Sequence, residues 1–279
     1  ANDPNAATKT IQVKKKKTSR GGLIALIVLV LGACALCAPL CIASAPKSVA
    51  ADTVLEIDLE QPLDEGDATA GIPFVPGGEG HNLIDVILAL EKAKTDPKVK
   101  GLVARVGAAM PLATMQELRE AIASFRASGK PAIAYSEGFG ELSPGVSAYT
   151  LATSFDEIWL QPSGDVGFTG LFAETMFLKG TLDKIGVEPE FSGRKEYKNA
   201  INQLTETGFT PAHKEATVAM LQSLESQIVD DIVASRPKLG TKDDVRALLD
   251  SCPISAQESL AKHFVDKLGY KDEVLASLE

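Results

Sequence analysis

The chain has 279 residues, 45% hydrophobic and 23% charged, which is enough for one sizeable core and an appendage. The net charge is −9, yet residues 1–20 set Lys9, Lys14, Lys15, Lys16, Lys17 and Arg20 against Asp3 alone. The rest is therefore strongly acidic, which argues against a nucleic-acid binder.

Residues 1–20 read as a basic cytoplasmic tail. Residues 21–45 carry no charge, and at about 1.5 Å each they exceed the roughly 30 Å of a bilayer's hydrocarbon core. This predicts one transmembrane anchor in contact with membrane lipid. Lysines before it and an acidic body after it place the N-terminus in the cytoplasm and the body across the membrane. Two other readings stay open. Ala43-Ser44-Ala45 and Ser48-Val49-Ala50 resemble cleavage sites of a removed signal peptide. Leu31-Gly32-Ala33-Cys34 resembles a lipoprotein box with Cys34 as the lipidated residue. The apolar run continues past Cys34, which favours an uncleaved anchor. Residues 46–52 form a linker, and the body spans 53–279. Cys252 is the single cysteine of the body, so neither a disulfide within it nor a C-x-x-C metal pair is expected.

Thr53–Leu59 alternates with period two and predicts a strand. Residues 60–82 are rich in Gly, Pro and Asp and read as a long loop. Leu83, Val86, Ile87 and Leu90 share a helical face capped by Asn82, and Asp96-Pro97 ends it. Lys100–Val106 reads as a buried strand. Thr114-Met115-Gln116-Glu117 predicts a capping box for a helix running to about Ser128. Ala132–Tyr135 is the next strand, Gly145–Thr153 a short helix, and Glu157–Leu160 another strand, with Trp159 in the core. Gly164–Gly170 is a glycine-rich turn that lacks the spacing of a phosphate loop. A helix over 175–185, a strand over 187–192 and a long amphipathic helix over Pro211–Arg236 follow. Short helices are expected near 242–250, 255–263 and 271–278. The alternation predicts an α/β fold. His81, His213 and His263 are far apart with no H-E-x-x-H, so a metal is not expected. No cofactor is expected either.

The stretch Phe191-Ser192-Gly193-Arg194-Lys195-Glu196-Tyr197-Lys198-Asn199-Ala200 sets three cations within five residues beside an aromatic ring. A lysine held among cations and shielded from water loses its proton more readily, which makes Lys198 a candidate general base. A basic surface loop is the other reading.

The order of Val99–Val103, Lys130–Tyr135, Ala148–Thr153, Asp156–Gly164, Phe168–Leu171, Lys184–Phe191 and Tyr197-Lys198-Asn199-Ala200 resembles the signal peptide peptidase A (protease IV) family. Ala261–Tyr270 resembles that family's closing segment. The resemblance implies a ClpP/crotonase-like fold of repeated β-β-α units behind one transmembrane helix. It implies a Ser–Lys serine endopeptidase that degrades cleaved signal peptides or other apolar peptides at a bacterium's inner (cytoplasmic) membrane, with the body on the periplasmic or extracellular side. Lys198 occupies the family's general-base position. Two departures stand out. The family's serine position aligns with Val146, with Ser147 one residue away and Ser143 three. The Gly-Gly pair of the oxyanion loop is missing from Arg105-Val106-Gly107-Ala108-Ala109-Met110. The chain thus resembles the lysine-bearing N-terminal half of a double-length member, whose serine comes from a second half or a homologous subunit. Activity of the chain alone through Ser147 or Ser143, and an inactive membrane-anchored scaffold or peptide-binding module, remain the alternatives.

Overall fold

A computed structural model describes residues 50–61, 63, 82–140, 145–168 and 170–278. The tail and the apolar segment of 1–49, most of the 60–82 loop, and Ser143 lie outside these residues. Among the described residues no helix is long and apolar enough to cross a membrane.

Strand β1 (Thr53–Leu59) begins the sheet as expected. Helix α1 (Leu83–Thr95) follows, with the Asn82 side chain accepting from the Ile84 amide and Asp96 closing the other end. Strand β2 (Val99–Val106), helix α2 (Leu112–Arg126), strand β3 (Ala132–Ser136), helix α3 (Val146–Ala152) and strand β4 (Glu157–Leu160) continue the alternation. Thr114 does not cap α2: the helix starts earlier, at Leu112 behind Pro111, and Thr114 is buried inside its first turn. Proline's fixed φ suits a helix start, and it overrides the capping pattern further along.

Strands β1 to β4 pair in parallel with β7 (Lys267–Leu268) at the far edge, in the order β1-β2-β3-β4-β7. Parallel strands covered on both faces read as continuous apolar runs, as Gly101–Ala104 of β2 and Ala132–Tyr135 of β3 do. On one face Leu102, Ala104 and Val106 meet Leu83, Val86 and Leu90 of α1 and Met115, Leu118, Ile122 and Phe125 of α2. On the other, Val103, Ile133, Tyr135 and Trp159 pack against Val274 of helix α9 (Lys271–Ala276). Trp159 is thus buried, but in this smaller second cluster.

The glycine-rich turn has a packing role. Strand β5 (Asp165–Val166) sits in it and pairs antiparallel with β6 (Ile254–Ser255). The Phe139 amide donates to the Asp165 carbonyl (2.9 Å) and the Gly167 amide to the Phe139 carbonyl (2.5 Å). A Cβ on Gly164 would collide with the Glu137 carbonyl oxygen, and one on Gly140, at φ +114°, with that of Gly167. Backbones this close admit only glycine.

After β5 the expected elements shrink. The helix over 175–185 is only α4 (Lys179–Lys184), and 187–192 forms no strand. Alternation alone does not make a strand where no neighbouring strand offers its amides and carbonyls. A 3₁₀ turn (Asn199–Ile201) and α5 (Asn202–Thr205) lead into the long α6 (Pro211–Ser235), whose N-cap Thr210 accepts from the His213 amide. Only Ile228, Val229 and Ile232 of α6 are buried, so the expected amphipathic stripe covers just its last turns. Helices α7 (Lys242–Asp250) and α8 (Ala256–Ala261) carry full capping boxes from Thr241 and Ser255. Among the described residues two consecutive strands precede a helix only at β4–β5, and these two lie in different sheets. Elsewhere single strands alternate with helices, so the β-β-α repeat expected from the family is not what these residues display.

Candidate active site

In an open parallel sheet, binding residues gather beyond the carboxyl ends of the strands. Here the ends of β1, β2 and β3 are tied by Arg105, which pairs with Glu137 (2.7 Å), Glu60 (2.9 Å) and Asp58 (3.7 Å). Burial works against the Arg105 charge, and the three carboxylates together outweigh it and hold its pKa raised.

The segment after β2, Gly107 to Met110, lies beside the start of α3. The Ala108 amide donates to the Leu59 carbonyl (3.3 Å), and the Met110 amide donates to Ser147 Oγ (3.2 Å). The expected oxyanion loop and Ser147 are therefore neighbours. In this contact the Ser147 hydroxyl oxygen serves as acceptor for the backbone of that segment. Val146 is 4% exposed and belongs to the core. Among the described residues Ser147 has no hydrogen bond to a lysine.

Serine–lysine hydrogen bonds do occur elsewhere, between Lys94 and Ser124 (2.9 Å) and between Lys262 and Ser251 (3.4 Å). The first staples α1 to α2, and both its members also bond Glu91. Those bonds, from Lys94 and then from Ser124, hold the Glu91 carboxyl below its usual range. A serine that donates its proton to a carboxylate and a lysine neutralised by that same carboxylate make a surface ion pair, not a dyad.

Lys198 stands on a different part of the chain. Its amide donates to the Lys195 carbonyl (3.3 Å), closing a turn in which Lys195 takes φ +63°. Tyr197 donates its hydroxyl to Glu215 Oε2 on α6 (3.0 Å). The Lys198 side chain is exposed and, among the described residues, makes no ion pair. The shielding expected of a general base is therefore not supplied by the described part of this chain. Asn199, next to it, has a buried Oδ1 with no donor among the described residues.

The arm that carries Lys198, residues 171–227, holds itself together sparingly. Phe209 packs edge-on against Phe177 (5.3 Å between ring centres) and His213 (4.7 Å), and the Leu178 amide donates to the Gln203 carbonyl (2.7 Å). Lys179, Asp183, Val187, Pro189, Leu204 and Thr205 line a concavity on it. Much of its apolar surface is uncovered: Phe172 is 68% exposed, Met176 71% and Ile185 67%, with Val187, Phe191 and Tyr197 also exposed. A run of large exposed apolar side chains marks a contact surface. Sequence periodicity had placed part of this run in a strand, and only its lack of a tertiary partner reveals it as surface.

The sequence profile of Peptidase family S49 matches residues 124–279, more than half of the chain, and the chain belongs to that family. Among curated proteins it is 36% identical over 121 residues to "Protease 4" of Haemophilus influenzae, covering 42% of this chain and 18% of that protein. It is 29% identical over 160 residues to "Protease 4" of Salmonella typhi, covering 56% and 25%. It is 24% identical over 192 residues to "Serine protease SPPA, chloroplastic" of Arabidopsis thaliana, covering 67% and 27%. The chain thus spans about a quarter or less of the length of these relatives. Among solved structures it is similar to a membrane-bound stomatin-specific protease, with TM-score 0.44 and 10% identity over 81% of this chain and 84% of that one. It is also similar to an enoyl-CoA hydratase/carnithine racemase from Magnetospirillum magneticum, with TM-score 0.37 and 17% identity over 71% and 64%.

Proposed function

We propose that this chain is the lysine-donating half of a membrane-anchored Ser–Lys peptidase on a crotonase-like scaffold. Lys198 acts as general base, and the serine and oxyanion donors come from a second half or a homologous subunit. One observation carries the reading: Lys198 rides on an exposed arm with uncovered apolar side chains, while the chain's own serine position holds a core valine, Val146.

The chemistry follows from that arrangement. A free lysine has a pKa near 10.4, so a base that works near pH 7 needs a shift of roughly three units. A partner seated on the arm removes water from the amine, and Arg194 and Lys195 add like charge beside it, both of which disfavour the ammonium form. The neutral amine then takes the proton of the partner's serine hydroxyl as that oxygen attacks a peptide carbonyl. The substrates are cleaved signal peptides or other apolar peptides, met at the bacterial inner membrane by a body that residues 21–45 anchor there. Membership of a peptidase family and relatives named as proteases support this reading.

The test is reconstitution. The chain is co-purified with a serine-bearing homologue, and hydrolysis of an apolar fluorogenic peptide is followed. Lys198→Ala is expected to lower turnover by about 10³-fold or more while leaving association unchanged. Unaltered turnover in Lys198→Ala would overturn this reading in favour of the second, an inactive anchored scaffold.

A further inference from the structure

We propose that Arg119 is a positioning residue for the general base, because it sets the angle of the arm that presents Lys198. The proposal rests on the reading of Lys198 given above.

Helix α6 has two unlike parts. From Pro211 to Gln227 none of its side chains is buried, and beyond that Ile228, Val229 and Ile232 enter the core. A helix rooted over so short a length works as a lever. Glu215, where Tyr197 fastens the Lys198 turn, lies about 24 Å along the axis from Asp231 at the root. A tilt of about 10° at the root displaces that point by about 4 Å, and misplacing a catalytic group by about 1 Å can cost 10²-fold in rate.

Several ties hold the root: Glu225 pairs with Arg246 (2.8 Å) and Asp230 with Lys242 of α7, Gln227 meets Gln116 of α2 (3.4 Å), and Arg119 joins the root to α3 as well. The Arg119 side chain, 12% exposed, projects from α2 between α3 and α6. Nη1 donates to the Thr150 carbonyl and to Thr153 Oγ1 (2.8 Å) at the end of α3. Nη2 donates to Ser235 Oγ (2.9 Å) and to the Asp231 carbonyl (3.4 Å) of α6. Nε faces Asp231 Oδ2 at 3.6 Å. One planar guanidinium therefore references the arm to α3, the helix that begins at Val146. Lysine offers a single ammonium and cannot span both helices with that fork. The acid–base step makes no use of Arg119, which acts through α6 alone.

The experiment measures the arm directly in the full chain in detergent. A ketone-bearing amino acid is placed at Val218 on the arm and at Lys92 on α1, both sites are spin-labelled, and the distance distribution is recorded by double electron–electron resonance. The unaltered chain is expected to give one narrow distance. Arg119→Met shifts or broadens it by about 4 Å, and Arg119→Lys by a smaller amount. Val274→Ala, a cavity variant on the other face of the sheet, serves as a control for lost stability and leaves the distribution narrow. The proposal is overturned if both Arg119 variants keep the narrow distance, or if Val274→Ala spreads it as much as they do. Arg119→Lys alone decides the matter should Arg119→Met not fold. In the reconstituted peptidase Arg119→Lys is expected to lower kcat about tenfold with KM within about twofold. The resonance result stands whatever Lys198→Ala does to turnover, so the failure of the dyad and the failure of the lever give different results.

Discussion

The Tyr197 hydroxyl donates to the Glu215 carboxylate at 3.0 Å, joining the turn that carries Lys198 to the second turn of α6. The bond and the negative charge of Glu215 both push the Tyr197 pKa up, so the phenol keeps its proton and the tie persists through neutral pH. Tyr197→Phe is expected to raise amide exchange over residues 193–200 roughly threefold or more, because little else among the described residues holds that turn. The melting temperature should stay where it is, since the pair is at the surface. Exchange rates identical to the parent chain would mean the turn is fixed by something other than this bond.

Ser147 separates a catalytic from a structural reading of the same hydroxyl. It accepts the buried Met110 amide at 3.2 Å. Ser147→Ala leaves that donor without an acceptor and is expected to cost about 1 kcal/mol in urea unfolding. The purified chain should not react with a serine-directed acylating probe, and the reconstituted peptidase should keep its turnover in Ser147→Ala. Labelling of the parent chain that disappears in Ser147→Ala would make Ser147 the nucleophile and the chain active alone.

Arg236 and Asp266 test what holds the end of α6 to the sheet. Arg236 Nη1 and Nη2 reach Asp266 Oδ2 (2.7 Å) and Oδ1 (2.9 Å), and Nη2 also donates to the His263 carbonyl (3.1 Å). Asp266 in turn accepts the Ile158 amide of β4 (2.8 Å). The arginine is 9% exposed, so removing either partner strands a mostly buried charge. Arg236→Met is expected to lower unfolding stability by about 2–4 kcal/mol, measured by urea denaturation. A loss under about 1 kcal/mol would show that Asp266 finds water or another donor once Arg236 is gone.

Local patterns carried far where each element's own residues decide it. Thr53–Leu59 is a strand over its full predicted length because its alternation matches a half-covered edge position in the sheet. The long helix from Pro211 was legible from its first-turn proline and length, and it ends within a residue of the predicted position. Strand β7 was missed, since Lys267 and Leu268 form a strand only because Trp159 and Leu160 lie beside them. Two residues have no periodicity to detect.

The site divides the same way. Lys198 is a candidate from its neighbours in the chain and from the resemblance to the family's Tyr-Lys-Asn-Ala pattern, and the valine at 146, where that resemblance expects a serine, is read from the sequence alone. Residue identities are enough for such conclusions, because a valine side chain has no nucleophilic atom wherever it sits. Where Ser147 points, how Arg119 bridges two helices, and that the Lys198 arm stands uncovered were decided only by the tertiary structure. Each depends on which groups from distant parts of the chain come within a few ångströms, and the energy of a hydrogen bond or an apolar contact is set by that distance and not by separation along the backbone.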